Sequence, residues 1–136
     1  MKKMAIWIIL LAATLTLAMG CTGETETTST NNTLGYRQVS AEEAKKLMDS
    51  EKGYVILDVR TQEEYEEGHI PDAVLLPDFE VEQRAAEQLP DKGQLILVYC
   101  RSGNRSKSAA STLVNMGYTN VVEFGGIRDW PYDVEK

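Results

Sequence analysis

The chain is poor in the side chains that build covalent frameworks and metal centres. Its 136 residues include two cysteines, Cys21 and Cys100, and one histidine, His69. A disulfide framework is not indicated, because Cys21 falls at the edge of a leader and only Cys100 lies within the part that reads as folded. One histidine and one domain cysteine cannot assemble the usual tetrahedral zinc site from His and Cys, so no metal is expected. Positive charge is scarce too: 14 Lys and Arg stand against 21 Asp and Glu, a net charge of −7. Without Lys2 and Lys3 of the leader the balance becomes −9 (−7 minus 2). Nucleic acid is therefore not an expected partner, since phosphate backbones are held by clustered Lys and Arg. Internal repeats and internal linkers are also missing, which leaves one domain.

What is present begins with a leader. Lys2 and Lys3 precede a run from Met4 to Gly23 without a charged residue, rich in Ile, Leu and Ala. This is a basic n-region followed by an apolar h-region, the pattern of a signal peptide over 1–20. The run closes on Leu17-Ala18-Met19-Gly20-Cys21, which resembles the lipobox of bacterial lipoproteins and predicts cleavage before Cys21 with lipid added to that cysteine. An uncleaved anchor is the competing possibility, because the run is near the ~20 residues that span a bilayer. Both place the rest of the chain outside the cell membrane or in the periplasm, since the two lysines favour the cytoplasmic side. Residues 21–35, dominated by Thr, Asn, Glu, Ser and Gly, carry too little apolar surface to order themselves and read as a tether. The folded domain is expected over 36–136, long enough to remove ~65% of its unfolded surface from water.

Within that domain short apolar runs alternate with helical patterns, which predicts an α/β fold with a parallel sheet between helices. The strands are expected at Arg37–Val39, Tyr54–Val59, Ala73–Leu76, Gln94–Tyr99 and Asn120–Phe124. Leu95 to Tyr99 is continuously apolar, as a strand buried on both faces must be. Ser40 with Glu43, and Thr61 with Glu64, form capping boxes that open two helices, and Gly68 stops the second. Asp78 is expected to cap a third helix that turns Val81 and Ala85 inward. A final helix begins near Ser106, buries Ala109, Ala110, Leu113 and Val114, and stops at Gly117.

Cys100 follows the central strand at its carboxyl end and leads into Arg101-Ser102-Gly103-Asn104-Arg105-Ser106. Open parallel sheets bind ligands at this edge, where a strand, a tight loop and a helix start aim free N–H groups at one point. A sulfur there gains hydrogen bonds and a favourable potential as the thiolate, which lowers its pKa. Arg101 and Arg105 add positive charge, and Gly103 supplies the positive φ or the close backbone approach that lets the loop curl around an anion. An isolated cysteine is more often a small buried hydrophobe. The polar and basic run that follows Cys100 argues for a reactive thiol.

From about Val39 to Trp130 the chain resembles the rhodanese family. The matching residues are Val55 to Arg60, Glu64-Tyr65, Gly68-His69-Ile70-Pro71, the loop Cys100 to Ser106, Gly117-Tyr118, Gly125-Gly126-Ile127 and Trp130. The resemblance implies a three-layer α/β/α domain with a five-stranded parallel sheet. It also implies a sulfurtransferase that passes sulfane sulfur from a small anionic donor such as thiosulfate to a thiol or cyanide, through a Cys100 persulfide and without a cofactor. Arg101, Ser102, Gly103, Asn104, Arg105 and Ser106 would then bind substrate, with Arg60 and Asp58 on the same rim. For those two an ion pair stabilising the loop around Thr61 is the alternative. Phosphatases on related scaffolds place the arginine six positions after the cysteine, whereas Arg105 is five after, so a smaller ligand is expected. His69 to Pro71 are expected to form a structural turn, and Trp130 a core anchor. Asp72 stands where the family usually has Gly. Two other functions compete: a non-catalytic interaction module, which would ordinarily have lost the cysteine, and a surface thiol sensor, which would want a resolving cysteine nearby. Nothing in the sequence fixes the oligomeric state.

Overall fold

The computed structural model describes residues 34–136. The leader over 1–20, the lipidation expected at Cys21 and nearly all of the 21–35 tether lie outside the described residues. Among the described residues no helix is long and apolar enough to cross a membrane.

Five parallel strands form one sheet: β1 (Arg37–Gln38), β2 (Val55–Asp58), β3 (Val74–Leu75), β4 (Ile96–Cys100) and β5 (Val121–Gly126), in spatial order β1-β5-β4-β2-β3. The strand that carries Cys100 is therefore the central one, with β2 and β5 as its neighbours. Cys100 itself is the last residue of β4, one position inside the strand compared with the sequence expectation. Four helices cover the sheet: α1 (Ala41–Ser50), α2 (Gln62–Glu67), α3 (Val81–Gln88) and α4 (Asn104–Asn115).

Alternation along β4 divides the core. Ile96, Val98 and Cys100 point to one face, where Val81 and Ala85 of α3 and Ala109, Ala110 and Leu113 of α4 pack against them. Leu97 and Tyr99 point to the other, onto Ala41 and Ala44 of α1, Phe124 and Trp130. Every residue of β4 is buried, and burial of each large apolar side chain contributes about 1.5–3 kcal/mol relative to exposure. The layers are thus α/β/α, as the alternating pattern predicts.

Both capping boxes form. Ser40 Oγ accepts from the Glu43 amide at 3.2 Å while Glu43 accepts from the Ser40 amide at 3.0 Å. Thr61 and Glu64 repeat the exchange at 3.4 and 3.1 Å. The expected cap at Asp78 does not form. Pro77 sends the chain into a 3-10 turn over Asp78–Glu80, whose own backbone bonds consume the first free amides, and no side chain caps α3. Gly117 ends α4 as expected: its amide bonds to the Val114 carbonyl and the Tyr118 amide to that of Leu113, a Schellman closure. Asp72 adopts φ 64 in a turn closed by the Ala73 amide on the Ile70 carbonyl at 3.0 Å. With Pro71 before it, this is the position of a type II turn that glycine ordinarily fills.

Candidate active site

Parallel strands end on one edge of the sheet, so Asp58 of β2, Cys100 of β4 and Gly126 of β5 share that edge. Cys100 is opposite Gly126 in register, past an irregularity between Val98 and Cys100. There the chain leaves β4, passes through Gly103 at φ 98 and enters α4 at Asn104, two residues earlier than the sequence suggests. The left-handed turn at Gly103 folds the loop back over the sulfur. The first amides of α4 have no partner within the helix, and that of Ser106 acts on the Cys100 sulfur.

Cys100 is 1% exposed, and its sulfur accepts the Gly103 N–H at 3.0 Å. Burial raises the pKa of the thiol, but the hydroxyl of Ser106 and the amides of Ser106, Gly103 and Ser102 outweigh it, so the net direction is down. Hydrogen bonds from the loop therefore account for the acidity more than the two guanidinium groups do. Arg105 is in fact neutralised: its Nη1 and Nη2 donate to Glu64 Oε2 and Oε1 at 2.7 and 2.8 Å. That bidentate pair ties the start of α4 to α2 and, with the Arg105 hydrogen bonds leading, lowers the Glu64 carboxyl to about 2. Arg101, Ser102 and Asn104 are exposed. Ser106 is fully buried, and its hydroxyl lies 2.6 Å from Glu123 Oε1, 3.0 Å from the Gly103 carbonyl and 3.3 Å from that of Gly125.

Gly126 makes the loop possible by its size. A Cβ there would stand 2.2 Å from the Arg101 carbonyl oxygen and 2.6 Å from Ser102 Cα. The Arg128 amide bonds to the same Arg101 carbonyl at 3.3 Å. Beside the loop opens a cleft of about 450 Å³, lined by Arg60, Arg101, Arg128, Glu64, Trp130 and Tyr132 among others.

Asp58 and Arg60 form a closed hub. Arg60 Nη2 donates to Asp58 Oδ2 at 2.6 Å and to the Gly68 carbonyl at 2.8 Å, and its Nε lies at 3.0 and 3.1 Å from the two carboxylate oxygens. The Tyr99 hydroxyl donates to Asp58 Oδ2 at 2.6 Å and accepts from the Ile70 amide at 3.1 Å. Burial first, then the Asp58 charge, push the Tyr99 phenol upward and keep it protonated. Asp58 is 0% and Arg60 5% exposed, a geometry that fits the structural alternative for Asp58. Only Arg60 reaches the cleft wall. His69 stacks on Tyr65 with ring centroids 3.7 Å apart and lies 2.9 Å through Nδ1 from the Tyr65 carbonyl, and Trp130 sits in the core against Phe124. Neither touches the sulfur. Glu123 and the Glu64 to Arg105 clamp are the parts that sequence reasoning missed. A charge inside the apolar run Val121-Val122-Glu123-Phe124 was the available signal for the first.

The sequence model of the rhodanese-like domain matches residues 40–132. The chain belongs to the rhodanese-like family. This rhodanese-like chain is 41% identical over 103 residues to YrkF of Bacillus subtilis (strain 168), named as a sulfur carrier protein; the match covers 75% of the chain and 55% of that relative. It is 41% identical over 73 residues to the thiosulfate sulfurtransferase PspE of Escherichia coli (strain K12), covering 54% of the chain and 70% of the relative. Among solved structures, the rhodanese-like domain of an Anabaena protein superposes with a TM-score of 0.67 at 30% identity, covering 72% of this chain and 77% of that one. Proteins named as thiosulfate sulfurtransferase and as sulfur carrier are thus among its relatives, and sulfur transfer is the activity supported at the level of the family.

Proposed function

We propose that this protein is a sulfurtransferase that carries sulfane sulfur as a persulfide on Cys100. The observation that carries the proposal is the sulfur itself, buried at the ligand edge of the sheet inside a ring of amides that favour its ionised form. In the first half-reaction the Cys100 thiolate attacks the outer sulfur of a donor such as thiosulfate. A new S–S bond forms, the donor S–S bond breaks, and sulfite leaves with that bonding pair. In the second, an acceptor thiolate or cyanide attacks the outer sulfur and the Cys100 thiolate departs. No external base is needed when the thiolate already exists, which is ping-pong covalent catalysis. The amides of Ser102, Gly103 and Ser106 would hold the persulfide, while Arg101 and Arg128 on the cleft wall suit an anionic donor. Arg105 then serves mainly through its clamp on Glu64, and Asp58 with Arg60 supports the rim. Among the described residues Cys100 is the one cysteine, so a thiol sensor would lack the resolving partner that returns a sulfenate to the thiol.

Incubation of the domain with thiosulfate, followed by mass measurement, tests the proposal. The expected result is a gain of one sulfur atom that cyanide removes and that Cys100→Ser does not show. Wild-type protein that never gains sulfur from thiosulfate, polysulfide or a persulfide donor would refute it.

For location we propose export and anchoring through a lipid on Cys21. The basic and apolar leader ending in Leu17-Ala18-Met19-Gly20-Cys21 supports this. Full-length protein expressed in a bacterium should partition into the membrane with a lipid-bearing amino-terminal peptide. Cys21→Ala should abolish that modification.

A further inference from the structure

Glu123 is a buried carboxylate that the sulfur chemistry above does not use. It lies on β5 two residues after Val121, on the same face, so it points with Val98 and Cys100 toward α4 rather than to solvent. It is 2% exposed. Oε1 accepts the Gly125 amide at 2.8 Å and lies 2.6 Å from Ser106 Oγ, and a Cβ on Gly103 would be 3.8 Å from the same oxygen. Among the described residues no cation pairs with it; the salt bridges of the region join Arg60 to Asp58 and Arg105 to Glu64. A buried anion without a cation is costly unless it answers a need of its surroundings.

Ser106 is the point of conflict. Its hydroxyl has one hydrogen and four candidate acceptors: the Cys100 sulfur, Glu123 Oε1 and the carbonyls of Gly103 and Gly125. A carboxylate at 2.6 Å is the strongest of these, because charge-assisted bonds are roughly twice as strong as neutral ones. Two anions, the Glu123 carboxylate and the Cys100 thiolate, also share the positive end of α4. The other charges of the neighbourhood are committed: Asp58 to Arg60 from β2, and Glu64 of α2 to Arg105 of α4. Asp78 of the 3-10 turn acts on Arg105, Arg101 and Arg128 face the cleft, and Lys107 is exposed.

We propose that Glu123 is a positioning residue for the Cys100 chemistry: by competing with the sulfur for the Ser106 hydroxyl hydrogen and lying against the first turn of α4, it withholds part of the stabilisation that the loop offers the thiolate. A sulfurtransferase needs this moderation. Its thiolate must attack a donor, which favours a more basic sulfur, and must later leave from the persulfide, which favours a less basic one. Glu123 sets the compromise toward attack. The proposal rests on Cys100 being the sulfur carrier, but its first test does not require turnover.

That test is titration of the Cys100 thiolate by ultraviolet absorbance and by pH-dependent alkylation with iodoacetamide, in wild type, Glu123→Gln and Ser106→Ala. Glutamine keeps the size and acceptor oxygen of Glu123 and removes the charge. Glu123→Gln should titrate at lower pH and alkylate about threefold faster below the transition, the gain in thiolate being partly offset by its weaker nucleophilicity. Ser106→Ala should move the other way. In half-reactions run above both transitions, where the thiolate is fully formed in each protein, Glu123→Gln should slow sulfur uptake from thiosulfate and speed sulfur release to a thiol, whereas a merely loosened loop would slow both. If Glu123→Gln does not fold, Glu123→Asp, which keeps the charge but withdraws from Ser106, should still titrate lower by a smaller amount. A folded variant whose thiol titrates and alkylates as wild type would overturn the proposal. Loss of sulfur uptake by the wild type with the titration shift intact would refute the sulfurtransferase function alone.

Discussion

Gly126→Ala should damage the active loop more than any other single methyl group on this sheet edge. The added Cβ would lie 2.2 Å from the Arg101 carbonyl oxygen, 2.4 Å from its carbon and 2.6 Å from Ser102 Cα. All three are main-chain atoms of the loop, so no side chain can swing away, and the segment must retreat by about 1 Å to reach ordinary contact. Overpacking of this kind costs about 1–3 kcal/mol, and the backbone origin of the clash argues for the upper half. A loss of about 2–3 kcal/mol lowers the melting temperature of a domain this size by about 10–20 °C. A displacement of about 1 Å in the groups that hold the sulfur costs about 100-fold in rate. Thermal melts and thiosulfate-to-cyanide sulfur transfer would measure both. Gly125→Ala is the control: its φ is +90 and nothing lies within 4 Å of the new Cβ, so it meets only left-handed strain of about 1–2 kcal/mol. Gly126→Ala with wild-type melting and turnover would refute the collision, and equal effects at the two glycines would refute its attribution to the loop.

Other substitutions probe the clamp, the hub and the turn. The folded pKa of Glu64 is depressed from 4.5 to about 2, so its contribution is fully present above pH 4.5 and disappears as pH falls toward 2. Partial exposure of the pair reduces the contribution to about 1–2 kcal/mol, and Glu64→Gln should flatten acid unfolding in that window as followed by circular dichroism. Asp58→Ala strands the buried Arg60 charge and the Tyr99 hydroxyl, and chemical denaturation should register a loss of about 3–5 kcal/mol. Asp72→Gly removes side-chain strain at φ 64 and should raise stability by a few tenths of a kcal/mol, the gain being limited by the added freedom of the unfolded chain; a drop in melting temperature would contradict the turn assignment.

Local signals in the sequence translated well. Ser40 with Glu43 and Thr61 with Glu64 close their capping boxes because the partners are three residues apart and need only one turn of helix. The unbroken Leu95 to Tyr99 run became the central strand because only that position buries both faces, and Gly103 took the left-handed turn the loop requires. Failures arose where a competing local bond or a distant partner decided the outcome. Pro77 turned the segment at Asp78 into a 3-10 turn before any cap could form. The bond from Arg105 to Glu64 joins residues 41 apart, and the contact of Ser106 with Glu123 joins residues 17 apart. Nothing in the spacing of either pair announces it. Gly126 was visible as part of a glycine pair, but its reason for being small, the carbonyl of Arg101, exists only once β5 lies beside β4.

The groups that meet the sulfur are main-chain amides and one buried hydroxyl, while the side chains of Arg101, Ser102 and Asn104 face outward. A cradle written in backbone is indifferent to what those three positions carry. Evolution or a saturation library can rewrite the rim there, changing which molecules are welcomed at the entrance, and leave untouched the groups that favour the ionised sulfur.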